Sequence, residues 1–255
     1  MSKSSQTVYL VTGANRGIGL GLVKELATRP NVIVFAGARN PAAESLVELS
    51  ATHKNVHPVK ITLADEEDNK AAIATIEKEV GRLDVVIANA GIANPTPPVA
   101  TLDVSDLREK FEANTVGMVV LFQAAHKLLL ASPTGAPVFA YISTAGASLT
   151  RYTSMVATGY MMSKAAANFI IRDIDAQNPT LVAMAISPGW VQTDMGNSGA
   201  GRAGMDQAPM TLPDSVDGIL SRIDGATKEK SSGKFWNFKP TSGNFWDIET
   251  DEIPW

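Results

Sequence analysis

The chain contains no cysteine and only three histidines among its 255 residues. Without thiols neither a disulfide framework nor a thiolate metal site can form, and the usage fits a reducing compartment. Basic residues are in deficit: 22 Lys and Arg stand against 26 Asp and Glu, a formal net charge of −4 with no basic cluster. That balance argues against a nucleic acid or an acidic membrane surface as partner. No apolar run reads as a membrane span, and "MSKSSQTVYLVTG" passes from a polar tail into a strand pattern without the apolar centre of a signal peptide. The expectation is a cytoplasmic protein.

What is present suffices for one core, with 45 % hydrophobic and 19 % charged residues in a length suited to a single α/β domain. Short runs rich in Val and Ile occupy 7–13, 31–38, 56–63, 83–91, 136–143 and 181–189, and each ends in turn residues. Strands buried on both faces have this look. Helix-like stretches fall between them at 17–29, 41–52, 66–81, 104–131 and 155–177. The alternation predicts right-handed βαβ units, hence an α/β single-domain fold, Rossmann-like, with a doubly wound parallel sheet and helices on both faces. The pattern fades after Gly189, where 195–213 is rich in Gly, Pro and Met. This composition suits a mobile lid, around 194–213, over an apolar ligand, and equally a plain surface connection. A further helix is expected at about 214–229, and the aromatic residues of the tail are expected to pack over an edge of the sheet.

The first strand runs into "TGANRGIG", Thr12 to Gly19. Glycines at 13, 17 and 19, after a strand and opening a helix, let backbone approach a pyrophosphate while the helix N-terminus directs N–H groups at it. About 20 residues beyond such a turn, an NAD site places an acid on the ribose 2′-hydroxyl. Here "AGARNP" offers Arg39, with no acid before Glu44. Arg39 and Arg16 together suit a 2′-phosphate, so NADP(H) is favoured over NAD(H).

A second pair stands in "ATGYMMSK". Tyr160 and Lys164, four residues apart, share one helix face about 6 Å apart. A phenol with a pKa near 10 is a poor proton donor to an alkoxide unless its phenolate is stabilised, and a cation one turn away lowers that pKa.

The spacing G-x-x-x-G-x-G, with its neighbours, resembles the short-chain dehydrogenase/reductase family, and further motifs follow in order over roughly residues 7–195. "ANAG" (88–91) resembles the family's NNAG motif, with Ala88 in place of the first Asn; "FEANTVG" (111–117) resembles the helix bearing its catalytic asparagine. "YIST" is similar to the segment of its catalytic serine, and "SPGWVQTDM" (187–195) to the segment that contacts the nicotinamide. The similarity is greatest to the branch of fungal polyketide ketoreductases and sniffer-type carbonyl reductases.

The resemblance implies a catalytic set of Asn114, Ser143, Tyr160 and Lys164. Ser143 is chosen because "STAG" reproduces the S-x-x-G turn, although it precedes Tyr160 by 17 residues, a longer gap than usual, and Thr144 and Ser148 are nearby hydroxyls. For the cofactor it implies Gly13, Asn15, Arg16, Gly17, Ile18, Gly19, Arg39, Leu63, Asn89, Ala90, Gly91, Pro188, Gly189, Val191 and Thr193, with Tyr160 and Lys164 on the nicotinamide ribose. Where the family often places an adenine-binding Asp this chain has Thr62, which shifts that contact to the Leu63 backbone. The activity implied is reduction of an apolar or aromatic ketone or aldehyde by NADPH, with a polyketide intermediate as an example. Oxidation in the reverse direction and a non-catalytic NADP-binding regulator are the alternatives. A homodimer or homotetramer is compatible with the family, and so is a monomer. The pocket is expected to include Trp190 and the Met-rich segment after Thr193, whereas Met161 and Met162 read as packing residues.

No metal is expected. His53 and His57 stand at i and i+4, but Pro58 breaks the helix such a site would need. His126 reads as a satisfied core or interface residue, and "DEED" (65–68) as the cap of the following helix.

Overall fold

Alternate residues of each strand feed opposite faces of one sheet, and both faces are apolar. The structure, a computed structural model, describes residues 6–152, 157–242 and 248–255. Strands β1 (Thr7–Thr12), β2 (Val32–Ala38), β3 (Val56–Lys60), β4 (Val85–Ala88), β5 (Val138–Ile142), β6 (Val182–Ser187) and β7 (Phe235–Asn237) lie in the order β3-β2-β1-β4-β5-β6-β7. All neighbouring pairs run parallel. On one face Leu10, Phe35 and Phe139 pack against helices α3 (Glu66–Glu79), α5 (Gly117–Leu130) and α6 (Thr158–Gln177). On the other, Val11, Val34 and Met184 meet α1 (Gly17–Thr28), α2 (Glu44–Thr52) and α8 (Leu212–Asp224). The doubly wound sheet is therefore as expected, and the switch in strand order beside β1 opens a crevice at its C-terminal edge, where such folds bind ligands.

The expected helix over 104–131 is one helical run in three parts: α4 (Val104–Phe111), a wide π-turn over Glu112–Val116, and α5. By length and composition the run Val104–Leu130 could cross a membrane, contrary to the sequence reading. Half of its most apolar stretch is buried inside the protein, where Met118, Leu121, Leu128 and Leu129 of α5 pack on the sheet.

The Gly-rich segment after Thr193 also departs from expectation. It begins with helix α7 (Asp194–Arg202), because Thr193 caps it by accepting from the Gly196 N–H at 3.1 Å. Tertiary fit demands a glycine at 196, where a Cβ would lie 1.8 Å from the Val191 carbonyl oxygen, so low helix propensity is overridden. Short helix α9 (Lys228–Ser231) then leads into β7, a seventh strand that extends the edge where only packed aromatics were expected. Phe235 and Phe238 are buried there, while Phe245 and Trp246 lie outside the described residues. "DEED" does cap α3: the Asp65 carboxylate accepts from the Asp68 N–H at 2.9 Å.

Candidate active site

The turn from β1 to α1 is built around positions that exclude side chains. Gly13 and Gly17 have φ of +66° and +55°, in the left-handed region. At Gly19 a Cβ would stand 2.2 Å from the Gly13 carbonyl oxygen. Asn89 locks the turn from the next strand: its Nδ2 donates to the Thr12 carbonyl at 2.9 Å, and its N–H donates to Thr12 Oγ1 at 3.1 Å. The amide of Asn89 thus shapes the cradle. Asn15 is fixed through its carbonyl, which accepts from Ser45 Oγ at 2.8 Å, and Ile18 packs on the core. Among the described residues no side chain caps the N-terminus of α1, as is also the case for α2, α5 and α6.

Arg39 leaves the end of β2 exposed, with no ion pair among the described residues. Arg16 is also exposed and lies 3.6 Å from Asp194 at the start of α7. Leu63 packs beside Gly117, where a Cβ would stand 3.3 Å from the Leu63 Cβ. Its neighbour Thr62 donates from Oγ1 to Asp68 at 2.6 Å, so that hydroxyl belongs to the α3 cap network. From the far side, Gly189 (φ +81°), Val191 and Thr193 close on the turn, and a Cβ at Gly17 would lie 3.5 Å from Thr193 Cγ2. The Pro188 carbonyl accepts from Ser215 Oγ at 2.7 Å, tying this segment to α8.

Ala90 and Gly91 lead from β4 to the chemical centre. A Cβ at Gly91 would be 3.0 Å from Asn114 Oδ1 and 3.4 Å from Lys164 Nζ. Asn114 sits in the π-turn, a distortion frequent at functional sites. Its Oδ1 accepts from the Ile92 N–H at 2.8 Å, and its Nδ2 donates to the Ile92 carbonyl and to Ser163 Oγ, both at 2.9 Å. Its own carbonyl accepts from Tyr141 OH at 3.2 Å. Lys164 donates to the Ile142 carbonyl at 2.7 Å and lies 4.4 Å from the centre of the Tyr141 ring and 5.8 Å from that of Tyr160. α6 comes close enough to α4 to hold Tyr160 because residue 159 is glycine: a Cβ there would be 3.1 Å from Asp106 Oδ2 and from Lys110 Cδ.

Burial governs the titration of the pair. It pushes the Lys164 ammonium down to about 7 and the Tyr160 phenol up to about 12. The expected lowering of the phenol by its neighbour is absent from this geometry. A phenol that keeps its proton across the neutral range is nonetheless the form a proton donor needs.

Ser143 lies buried at the end of β5. Its Oγ donates to Asn168 Oδ1 at 2.7 Å, one turn beyond Lys164 on α6, and the residue is 1 % exposed. The Asn168 Nδ2 is buried without a hydrogen-bond partner among the described residues. Thr144 comes next, half-buried on extended backbone (φ −155°, ψ 141°) that turns its side chain the opposite way; its Oγ1 accepts a long 3.4 Å contact from the Gly146 N–H. Of the methionines read as packing, Met161 is half-buried but Met162 is exposed. His126 bonds Asn178 Oδ1 at 2.7 Å, and His57 pairs with Glu79 at 3.3 Å.

Such a cleft defines a class, the oxidoreductases that bind a nicotinamide dinucleotide at the switch point of a doubly wound sheet. Residues 7–201 match the family described as short chain dehydrogenase, and the chain belongs to this short-chain dehydrogenase/reductase family. It is 40 % identical over 240 residues to the norsolorinic acid ketoreductase of Dothistroma septosporum, covering 91 % of this chain and 90 % of that one. The same enzyme from Aspergillus parasiticus is also 40 % identical over 240 residues, at 90 % and 88 % coverage. Among solved structures, the NADPH-bound carbonyl reductase from chicken fatty liver superposes with a TM-score of 0.84 at 29 % identity, covering 98 % and 94 % of the two chains. The carbonyl reductase Sniffer of D. melanogaster gives 0.83 at 27 % identity, covering 98 % and 99 %.

Proposed function

We propose that the protein reduces a ketone or aldehyde to an alcohol with NADPH, acting on an apolar or aromatic carbonyl such as a polyketide intermediate. The observation that carries this reading is the meeting of Tyr160, Lys164 and Asn114 beside Gly91, with a glycine cradle before it and Arg39 exposed at the end of β2. The cradle fits a dinucleotide: side chains are excluded where phosphate would approach, α1 is uncapped, and Arg39 offers a guanidinium for a 2′-phosphate. Bound there, the cofactor supplies the hydride.

The residues of the chain supply the rest. Tyr160, protonated at neutral pH, gives its proton to the carbonyl oxygen as that oxygen gains charge. Lys164, anchored on the Ile142 carbonyl, orients the ribose end of the cofactor. Asn114 holds the strand end at Ile92 and leads the proton resupply path toward Lys164. The second hydrogen bond to the substrate oxygen comes from Thr144 in place of Ser143, because Thr144 is partly accessible and its hydroxyl proton is donated to no described residue. Helix α7 and the turn after it form the lid, with Trp190 held under it by donation from Nε1 to the Gly196 carbonyl at 3.0 Å. NADPH and NADH oxidation followed by absorbance over a panel of aliphatic, aromatic and quinone-like carbonyls tests this function.

A further inference from the structure

Lys164 is a buried amine that meets no carboxylate among the described residues. Its Nζ donates to the Ile142 carbonyl at 2.7 Å, and it faces two aromatic rings, Tyr141 from β5 and Tyr160 from its own helix. Gly91 and Asn114, which close the site from the end of β4 and from the π-turn, carry no titrating group. An ammonium taken out of water loses its hydration, which pushes Lys164 down to about 7.

The two rings are not equivalent. Nζ stands over the Tyr141 ring, 4.4 Å from its centre, against 5.8 Å for Tyr160. The face of an aromatic ring carries the negative part of its quadrupole, and it attracts a cation within about 6 Å, more strongly where water is excluded. Tyr141 is 1 % exposed. Its ring therefore favours the charged form of Lys164 against the desolvation that disfavours it.

The strand explains why a ring stands there. Alternate residues of β5 face opposite sides of the sheet: Phe139 and Tyr141 join the apolar layer beneath α5 and α6, while Val138, Ala140 and Ile142 join the other. Tyr141 lies in register with Ala88 of β4 and Ala185 of β6, whose short side chains leave room for a ring. A buried phenol needs a partner for its hydroxyl, and the Tyr141 OH donates to the Asn114 carbonyl at 3.2 Å. One side chain thus touches Asn114 through its hydroxyl and Lys164 through its face.

We propose that Tyr141 is a positioning residue for carbonyl reduction, whose ring face holds the Lys164 ammonium at the ribose end of the cofactor. This rests on the reductase reading of the site and adds to it a residue that acts through Lys164.

The experiment compares wild type with Tyr141→Phe, Tyr141→Leu and a protein carrying trifluorophenylalanine at position 141, a ring close to phenylalanine in shape with most of its negative face removed. Carbon NMR of lysine side chains, with Lys164→Met to assign the signal, gives the Lys164 titration midpoint. kcat/KM for NADPH against pH, with a saturating aromatic ketone, reads the same ionisation in the reaction. Tyr141→Leu is expected to lower the midpoint by about one pH unit, a change of about tenfold in the protonation equilibrium. Trifluorophenylalanine should lower it by about half a pH unit relative to Tyr141→Phe, whose midpoint stays near that of wild type. The pH above which kcat/KM falls should move down with the midpoint. Equal midpoints for the phenylalanine and trifluorophenylalanine proteins overturn the proposal, as does a midpoint that moves while the pH profile stays in place. The comparison of these two rings decides by itself if Tyr141→Leu fails to fold. A wild type that reduces no ketone with NADPH overturns the reductase reading, while the titrations still decide whether the ring holds Lys164.

Discussion

Ser143 donates its hydroxyl proton to Asn168 Oδ1 at 2.7 Å, and both side chains are buried. The pair joins the end of β5 to the helix that carries Tyr160 and Lys164, and the proposed function gives the substrate hydrogen bond to Thr144. Thr144→Val, which keeps shape and removes the hydroxyl, should lower kcat by about 100-fold with little change in unfolding temperature. Thr144→Ser should retain most activity. Ser143→Ala should instead cost about 1–3 kcal/mol of stability by leaving a buried acceptor unmatched. Steady-state kinetics and thermal unfolding of the three variants separate the roles; full activity in Thr144→Val with loss in Ser143→Ala would return the role to Ser143.

Cofactor choice turns on Arg39, exposed at the end of β2. Arg39→Ala should weaken NADPH binding by about ten- to hundredfold, the worth of charge-assisted hydrogen bonds to a phosphate, and leave NADH binding unchanged. Titration by fluorescence reads both. An equal loss for the two cofactors would place Arg39 outside the 2′-phosphate site.

Lys164 links the site to stability. Burial takes its pKa from 10.5 down to about 7, so between these values the unfolded chain binds a proton that the native lysine lacks. Stability therefore rises with pH through that window, and the contribution is lost as pH falls toward 7. Measured against Lys164→Met, which carries no titrating group, the wild type should gain about 2 kcal/mol between pH 7 and pH 9. Urea unfolding at a series of pH values gives the difference directly; a flat or falling difference would mean that Lys164 is charged throughout.

How much of this was legible in the sequence follows from how local each feature is. The glycine turn, the Tyr160 and Lys164 face and the strand–helix alternation depend on spacing of a few residues, and the structure carries all three. The choice between Ser143 and Thr144 turns on tertiary contacts, and Asn168, the partner of Ser143, lies 25 residues away. The π-turn at Asn114 has no composition cue, because the surrounding residues read as regular helix. Helix α7 was hidden by its glycines, which the contact of Gly196 with Val191 requires. Tyr141 was hidden for a different reason, since it reads as one more apolar residue of a buried strand and its partners Asn114 and Lys164 lie on other elements.

The central claim is that Tyr160 donates the proton to a carbonyl substrate, and Tyr160→Phe tests it most directly. The measurement is NADPH oxidation with an aromatic ketone, paired with NADPH binding, in wild type and variant. The account predicts turnover in the wild type, a loss of about a thousandfold or more in kcat in the variant, and unchanged NADPH affinity. Equal turnover in the two proteins, or tight NADPH binding with no carbonyl reduced by either, would contradict it.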